Sequence, residues 1–465
     1  MSQVFFVPAP PQRQGGALWR FRRGQWYVPL LTAAAMALLF TGETLAGLAL
    51  LLATGSLLLA LAPDVLAALY PLLLAMLMSS CYYEDNSVLF RYAPAAALPL
   101  IALLWRLRRR PPARRGCFDG SLLAVSAATV LGGTGTIPAG EYFTAVGLFY
   151  TLGLGPLLLA LYRYVRAELG VSRRPDLVRR FFVLLYGAGL FTAALVAQRY
   201  LPYLAYFRQE WQVIHIPCRN YLATMLLVAL PAPFALLGES RLHALGAALL
   251  ATAALLTGSR SALLFVPVMG LLCALWYARE RGLPPRARGL LALLLGAAAA
   301  LLTLLAAKTL FLSRATEDGL LFSAADSRVT FLRLAWRDFL AHPLTGQGLA
   351  NLRNSDVFLG VTGSIVWYHN YFAQILGSMG LLGAAAYGWQ LRDRLRLLGR
   401  LPQRAQPLGL VWLGMGLISL TNPGEFSPLP QAALIVILFA VAEQCAEGGF
   451  PAPPQGDGQE PPASG

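Results

Sequence analysis

Long apolar runs, separated by short polar or basic segments, make up most of the chain. They are apolar along their whole length and do not alternate, which is typical of membrane helices rather than barrel strands. A spanning helix needs about 20 predominantly apolar residues. The pattern predicts spans near residues 28–42, 45–62, 65–80, 93–105, 119–134, 142–162, 181–198, 220–237, 242–257, 261–277, 289–310, 371–390, 407–420 and 429–445.

These runs predict an all-α integral membrane protein with about 12–14 transmembrane helices and one long periplasmic loop that contains amphipathic helices. Composition agrees, since 13% of the residues are charged and a soluble protein carries about 25%. The predicted parts are a cytoplasmic leader (1–26), a transmembrane helical bundle (27–310), a large periplasmic loop (311–370), C-terminal transmembrane helices (371–447) and a disordered cytoplasmic tail (448–465).

The net charge of +15 comes almost entirely from arginine, because Lys308 is the only lysine. A strongly basic chain can bind nucleic acid, but these arginines fall in short loops between apolar runs. The enrichment of basic residues in cytoplasmic loops explains that placement better. Alternating the sides of successive spans puts the arginine-rich loops inside, including the run 392–404, and the long loop outside.

The five cysteines show neither a CxxC pair nor any metal-ligand spacing, so the sequence predicts no metal site and no cofactor. Cys81 and Cys218 fall on the predicted outer side. A disulfide between them is one interpretation, and apolar packing of each cysteine is the simpler one. No cleavable signal peptide is expected, because the apolar run that follows the basic residues 20–23 continues into the first spans.

The interval from Leu310 to Tyr371 is the longest stretch between the predicted spans, and it contains five acidic residues and five arginines. Asp326 and Ser327 are able to cap a helix that runs to about Ala341. Its apolar positions lie on one side, and two arginines lie on the other, so we expect an amphipathic helix on the membrane surface. The apolar positions are Leu332, Ala335, Trp336, Phe339 and Leu340, and the arginines are Arg333 and Arg337.

Arginines at the predicted outer boundary are candidates for anion binding. Arg260 lies between two apolar runs with no room for a loop, where an ionisable residue is costly and usually functional. Arg219 precedes Asn220, a good helix N-cap residue, and a helix N-terminus beside an arginine suits an anion. Arg199 is a weaker candidate of the same kind, and Arg328 is either an anion contact or a surface residue. Membrane anchoring is the alternative for each.

His369 is the candidate for acid–base chemistry. Asn370 follows it as the predicted N-cap of the next helix. The positive end of that helix dipole disfavours a protonated imidazole, so the side chain is suited to act as a base. The alternative is an interfacial residue beside Trp367 and Tyr368. Because guanidinium groups bind phosphate oxygens bidentately and no nucleotide-binding loop is present, a lipid-linked phosphate is the expected ligand of the arginines.

With these residues the chain resembles the O-antigen ligase and polysaccharide polymerase family of bacterial inner-membrane glycosyltransferases. Three stretches carry the resemblance, and Pro217 to Asn220 is a weaker fourth. The three are Leu256-Thr257-Gly258-Ser259-Arg260-Ser261, then Ser327-Arg328 through Trp336 to Pro343 and Gly346-Gln347-Gly348-Leu349, and finally His369-Asn370 with Gly380 and Gly383. The resemblance covers roughly residues 200–390.

The resemblance implies a donor glycan on undecaprenyl diphosphate and an acceptor hydroxyl, such as that of lipid A-core, at the periplasmic face. It implies that Arg260 contacts the diphosphate and that His369 activates the acceptor. The family's second essential arginine corresponds to Arg219 or Arg199. An acidic residue in the last outer turn of some ligases corresponds to Glu425. Ser259 and Asn370, which adjoin Arg260 and His369, are assigned as supporting residues.

Several functions therefore stay open. The ligase is favoured, with inversion at the anomeric carbon and no metal. A polymerase of the same family, or a member that glycosylates protein, differs only in its acceptor. A metal-dependent glycosyltransferase would use Glu84 and Asp85 in an outer loop. A lipid or glycan transporter is disfavoured because the sequence shows no clear internal repeat and its notable charges lie at the predicted outer boundary.

Overall fold

The computed structural model describes residues 26–62, 65–80, 93–108, 115–132, 134, 149–172, 176–203, 218–307, 321–349, 367–426 and 429–447. All secondary structure within these ranges is helical. The α-helices are α1 (Tyr27–Phe40), α2 (Thr44–Leu61), α3 (Val65–Ser80), α4 (Ala97–Leu107), α5 (Asp119–Leu131), α6 (Leu154–Ser172), α7 (Leu177–Tyr200), α8 (Arg219–Ala229), α9 (Pro231–Leu236), α10 (Leu242–Leu256), α11 (Arg260–Glu280), α12 (Pro285–Ala307), α13 (Leu321–Ala341), α14 (Tyr371–Leu398), α15 (Pro407–Ser419) and α16 (Leu429–Ala446).

Among the described residues, the helical stretches long and apolar enough to cross a membrane are Thr44–Leu61, Leu177–Tyr203, Arg219–Leu236 and Arg260–Glu280. Shorter apolar helices accompany them. Helices suit a bilayer because they satisfy every backbone hydrogen bond internally. The all-α membrane class is confirmed, whereas the count of about 12–14 spans and the sides of the loops remain predictions.

Helix α8 lies at the centre of the bundle. All its residues from Leu222 to Ala229 are buried, and it packs against α7, α10, α11 and α15. Helix α10, by contrast, exposes Leu242, Leu245 and Leu249, as a lipid-facing helix does. The N-terminus of α8, where Arg219, Asn220 and Tyr221 are half-buried, leads into this core, and the candidate site forms around it.

Helix α14 is broken at Gly380, where the backbone adopts φ 59° and ψ −150°. The rings of Tyr371 and Tyr387 lie 5.6 Å apart, whereas a straight helix would separate these positions by about 24 Å. The segments 371–379 and 381–398 therefore fold back on each other. The prediction of one continuous span over residues 371–390 is wrong for this reason.

The turn after α13 fills the break in α14. The amides of Leu381 and Gln347 donate to the carbonyls of Pro343 and Gly377, each at 2.8 Å. A Cβ atom at Gly380 would lie 2.6 Å from the Pro343 carbonyl oxygen, so only glycine permits this approach. The glycine-rich turn 346–348 thus has a structural role: it supplies backbone partners to a broken helix.

Three arginines assigned from sequence to cytoplasmic loops are instead buried and paired. Arg106 forms a bidentate bond to Glu168 at 2.8 Å. Arg166 contacts Glu443 at 3.1 Å, and Arg394, discussed below, pairs with a residue near the site. Burial of an arginine requires a paired carboxylate, which loop composition does not reveal.

Helix α13 ends at Ala341 as predicted but begins at Leu321, so the predicted capping by Asp326 and Ser327 is wrong. Its buried side chains are Phe331, Leu334, Ala335 and Asp338, whereas the predicted apolar positions Leu332, Trp336 and Leu340 are exposed. The helix therefore packs one face against the protein and presents a second apolar row outwards. That row suits the predicted contact with the membrane surface.

Candidate active site

Two hydrogen bonds join the N-termini of α8 and α11 to the turn after α15. The Ser259 hydroxyl donates to Oδ1 of Asn220 at 2.9 Å. The hydroxyls of Ser261 and Thr421 lie 2.6 Å apart. These contacts connect three segments that are far apart in sequence, and they place three helix ends in one region.

Helix α14 joins the same region through Asn370. Its side-chain amide donates to the Leu420 carbonyl at 2.9 Å. Its side-chain oxygen accepts the Ala373 amide at 3.0 Å, which confirms the predicted N-cap. The N-terminus of α14 therefore meets the C-terminus of α15 beside the ends of α8 and α11.

Arg219 and Arg260 are the first residues of α8 and α11. Both side chains are half-buried, and the neighbouring residues Asn220 and Ser259 share a hydrogen bond. A helix N-terminus already carries a partial positive charge, so a cation there is locally unfavourable. Two arginines at helix N-termini, whose first amides lack an intrahelical partner, suit a phosphate or diphosphate.

The details of the two helix caps differ from expectation. The N-cap of α8 is Cys218, not Asn220, which lies inside the helix. Ser259 does occupy the N-cap position of α11, but its hydroxyl makes no capping bond. Both polar side chains instead bond to each other, so they fix the spacing of the two helices rather than cap them.

His369 lies directly before the Asn370 cap and is half-buried. Its ring packs 5.3 Å from that of Phe331 on α13. His369 has a left-handed backbone with φ 53°, and Cys218, before Arg219, has φ 55°; among described residues other than glycine no others have a positive φ. Such conformations are uncommon and gather at functional sites.

Asp338 and Tyr368 support His369, and the sequence analysis did not single them out. The Tyr368 hydroxyl donates to Oδ2 of the buried Asp338 at 2.6 Å, and its amide donates to Gln374 at 2.9 Å. The apolar spacing of Phe331, Leu334 and Ala335, extended by one turn, would have put Asp338 on the buried face of α13. The loop helix is thereby tied to the residue before His369.

Glu425 lies in the turn after α15 and is paired with Arg394. The arginine donates to both carboxylate oxygens, at 2.6 and 2.7 Å. The rings of Tyr371 and Phe426 stack nearby at 5.2 Å. The sequence put Glu425 and Arg394 on opposite sides of the membrane, and this is wrong because the two side chains are in contact.

Of the remaining candidates from the sequence, Arg199 is described by the structure, whereas the side chains of the others are not. Arg199 lies in the last turn of α7, where the neighbouring Tyr200 hydroxyl donates to the Leu256 carbonyl at 2.6 Å. It is therefore close to the turn that precedes Arg260. Arg328 lies in α13, but its side chain is outside the described residues, as are Glu84 and Asp85. The pairing of Cys81 with Cys218 also lies outside them.

The arrangement combines an anion site with a base. Helix N-termini and arginines stabilise negative charge on a leaving group, and a histidine at a neighbouring helix end is able to accept a proton. The site lies within an apolar bundle, where such electrostatic effects are stronger than in water. This chemistry suits transfer of a group from a phosphorylated donor to a hydroxyl.

Comparison with known families gives one match. Residues 245–388 match the family model described as O-antigen ligase. This range contains Ser259, Arg260 and the His369-Asn370 pair, whereas Arg219 and Glu425 lie outside it. Over these residues the match confirms the resemblance to the O-antigen ligase and polymerase family. No curated protein and no solved structure matches the chain.

Proposed function

We propose that the chain is an O-antigen ligase-type glycosyltransferase of the bacterial inner membrane, with its site facing the periplasm. It moves a glycan en bloc from undecaprenyl diphosphate to an acceptor hydroxyl of lipid A-core. The observation that carries this proposal is the meeting of Arg219 and Arg260, at two helix N-termini, with the His369 segment. The family match supports the reaction class.

In the proposed reaction His369 accepts the proton of the acceptor hydroxyl. The acceptor oxygen bonds to the anomeric carbon while the bond from that carbon to the diphosphate oxygen breaks. The diphosphate leaves with the electron pair on the opposite face, so the configuration inverts. Arg219, Arg260 and the amides of α8 and α11 stabilise the growing charge. Undecaprenyl diphosphate and the proton are the other products, and no nucleotide or metal enters the reaction.

Other proposed roles are indirect. Asn370 and Ser259 hold the helix ends in place through their hydrogen bonds. Glu425, paired with Arg394, fixes the turn after α15 rather than acting as a free base. Arg199 remains the alternative to Arg219 as second phosphate contact, and Arg328 is proposed as a further anion contact.

A transfer assay tests the proposal. Purified full-length protein in detergent receives lipid-linked glycan and chelator, with or without lipid A-core. We expect glycan on lipid A-core. Longer lipid-linked chains without added acceptor would indicate a polymerase, and activity lost only in chelator would favour a metal-dependent enzyme that uses Glu84 and Asp85. Intact donor in every reaction, with folded protein, would overturn transferase function and favour a transporter.

His369→Ala provides the decisive variant. Removal of a general base lowers a rate by about 10²–10⁴-fold, and we expect a loss of this size in transfer with an unchanged Tm. His243→Ala, at the start of α10, is the matched control and should transfer glycan at the wild-type rate. Wild-type activity in His369→Ala would contradict the assignment of the base.

A further inference from the structure

Three buried side-chain amide oxygens lack a hydrogen-bond partner within the described part of the chain, and they belong to Gln198, Asn422 and Gln431. Gln198 precedes Arg199. Asn422 follows Thr421, which bonds to Ser261. A buried polar atom without a partner costs about 1–3 kcal/mol and calls for an explanation. All three lie next to segments of the candidate site.

Asn422 and Gln431 are the stronger pair because both are more than nine-tenths buried, with exposures of 3% and 1%. The Asn422 amide nitrogen lies 3.5 Å from the Ser261 hydroxyl, one residue after Arg260. The Gln431 amide nitrogen donates to the Tyr221 carbonyl at 3.1 Å, in the first turn of α8. One end of each amide is thus held against an arginine-bearing helix, and the other end is left for a partner.

The partner's chemistry follows from the amide group. A side-chain amide has two orientations, related by exchange of its oxygen and nitrogen. In the first orientation the atom without a partner is the oxygen, which needs a donor; in the second it is the nitrogen, which needs an acceptor. A hydroxyl serves both orientations because it donates and accepts. A phosphate serves only one, since it has acceptors alone. Two unsatisfied amides in a site that already contains arginines therefore suit a group that bears several hydroxyls.

We propose that Asn422 and Gln431 form a sugar subsite that binds hydroxyl or amide groups of the donor glycan next to the diphosphate. This inference rests on the proposed function and extends it, because it assigns recognition of the first sugar to the turn after α15 and to the start of α16. The diphosphate lies on the arginines, and the sugar bonded to it lies on the amides. His369 then approaches from α14.

The test replaces each amide by an apolar group of similar shape, with Asn422→Leu and Gln431→Met. Each variant should lower kcat/KM for the lipid-linked glycan about tenfold, the loss expected for one hydrogen bond of about 1.4 kcal/mol. Their Tm should change little, because each substitution removes an unsatisfied buried oxygen together with one hydrogen bond of the amide nitrogen. Gln444→Met on the same helix is the matched control: its oxygen accepts from Arg166 at 3.0 Å, so Tm should fall while kcat/KM stays constant.

Undecaprenyl diphosphate without glycan, used as a competitive inhibitor, separates sugar from phosphate contacts. Its inhibition constant should be equal in wild type and in both variants. A parallel loss of inhibitor affinity would overturn the sugar subsite in favour of phosphate contacts. An unchanged kcat/KM in both variants would overturn the sugar subsite as well. So would a fall in Tm large enough to explain the lower kcat/KM by loss of folded protein. Failure of the wild type to use the donor would instead refute the proposed function itself.

Discussion

Two regions of the molecule use the same kinds of side chain in opposite ways. In the arginine–carboxylate cluster, formed by Tyr162, Arg166, Glu443 and Glu447, the arginine bonds to both carboxylates, and the tyrosine hydroxyl donates to Glu443. In the candidate site, Arg260 is the first residue of α11. The Tyr368 hydroxyl there donates to the Asp338 carboxylate.

The two regions differ in how deeply the arginine is buried and in which groups surround it. Arg166 is fully buried and contacts carboxylates on a neighbouring helix, so its charge is neutralised inside the protein. Arg260 adds its charge to a helix N-terminus that is already positive. The network around Arg166 is closed and stabilises the fold, whereas arginines at half-buried helix N-termini suit a ligand of opposite charge. Arginine content alone does not distinguish these cases.

The largest expected effect on activity comes from Arg260→Met. Loss of one group that stabilises transition-state charge costs about 10²–10³-fold in rate, and we expect a fall of that size in kcat for glycan transfer. We expect the Tm to fall less than in Arg166→Met, because Arg260 is half-buried whereas Arg166 is fully buried. Transfer is measured with lipid-linked glycan and lipid A-core. Wild-type kcat would remove Arg260 from the site.

The same substitution in the other region, Arg166→Met, should reverse the outcome. It leaves the Glu443 carboxylate buried without its cation, which costs about 3–5 kcal/mol of stability. We expect a large fall in Tm in detergent and an unchanged kcat per folded molecule. A variant with normal Tm but impaired transfer would show that the arginine–carboxylate cluster acts in the reaction and would break the comparison.

The smallest effect is expected for Tyr368→Phe, which removes one hydroxyl. The Asp338 carboxylate loses a hydrogen bond, and the residue before His369 loses its tie to α13. We expect kcat to fall several-fold with an unchanged KM for donor, since a small displacement of a reacting group lowers the rate. Tyr162→Phe is the matched control, because that tyrosine also donates to a buried carboxylate. It should lower Tm without a change in kcat, and equal kcat losses would contradict the distinction.

Much of the helical framework was predictable, because a bilayer leaves helices as the main solution for long apolar runs. Asn370 was identified as an N-cap from its position alone, and the structure confirms it. The break at Gly380 was missed because the apolar run continues through it, and only a tertiary contact with Pro343 makes the turn stable there.

The polar network of the site was predicted less well than its charged residues. Arg219, Arg260 and His369 stand out in sequence because each interrupts or borders an apolar run. The bond of Ser259 to Asn220 joins residues on different helices, and nothing in either local sequence encodes it. The same holds for the pairing of Glu425 with Arg394. Local patterns identify chemical groups, and packing decides their partners.

The broken helix α14 has a consequence for assembly. Segment 371–379 is too short to cross a bilayer, which takes about 20 residues, and amides of Leu381 and Leu382 at the break bond to carbonyls of Pro343 and Leu344. In hydrocarbon each unsatisfied backbone group costs several kcal/mol. The region around His369 therefore cannot mature by independent insertion of a helix. We therefore expect the preceding turn to dock before this region is complete, which makes its formation a late step of folding.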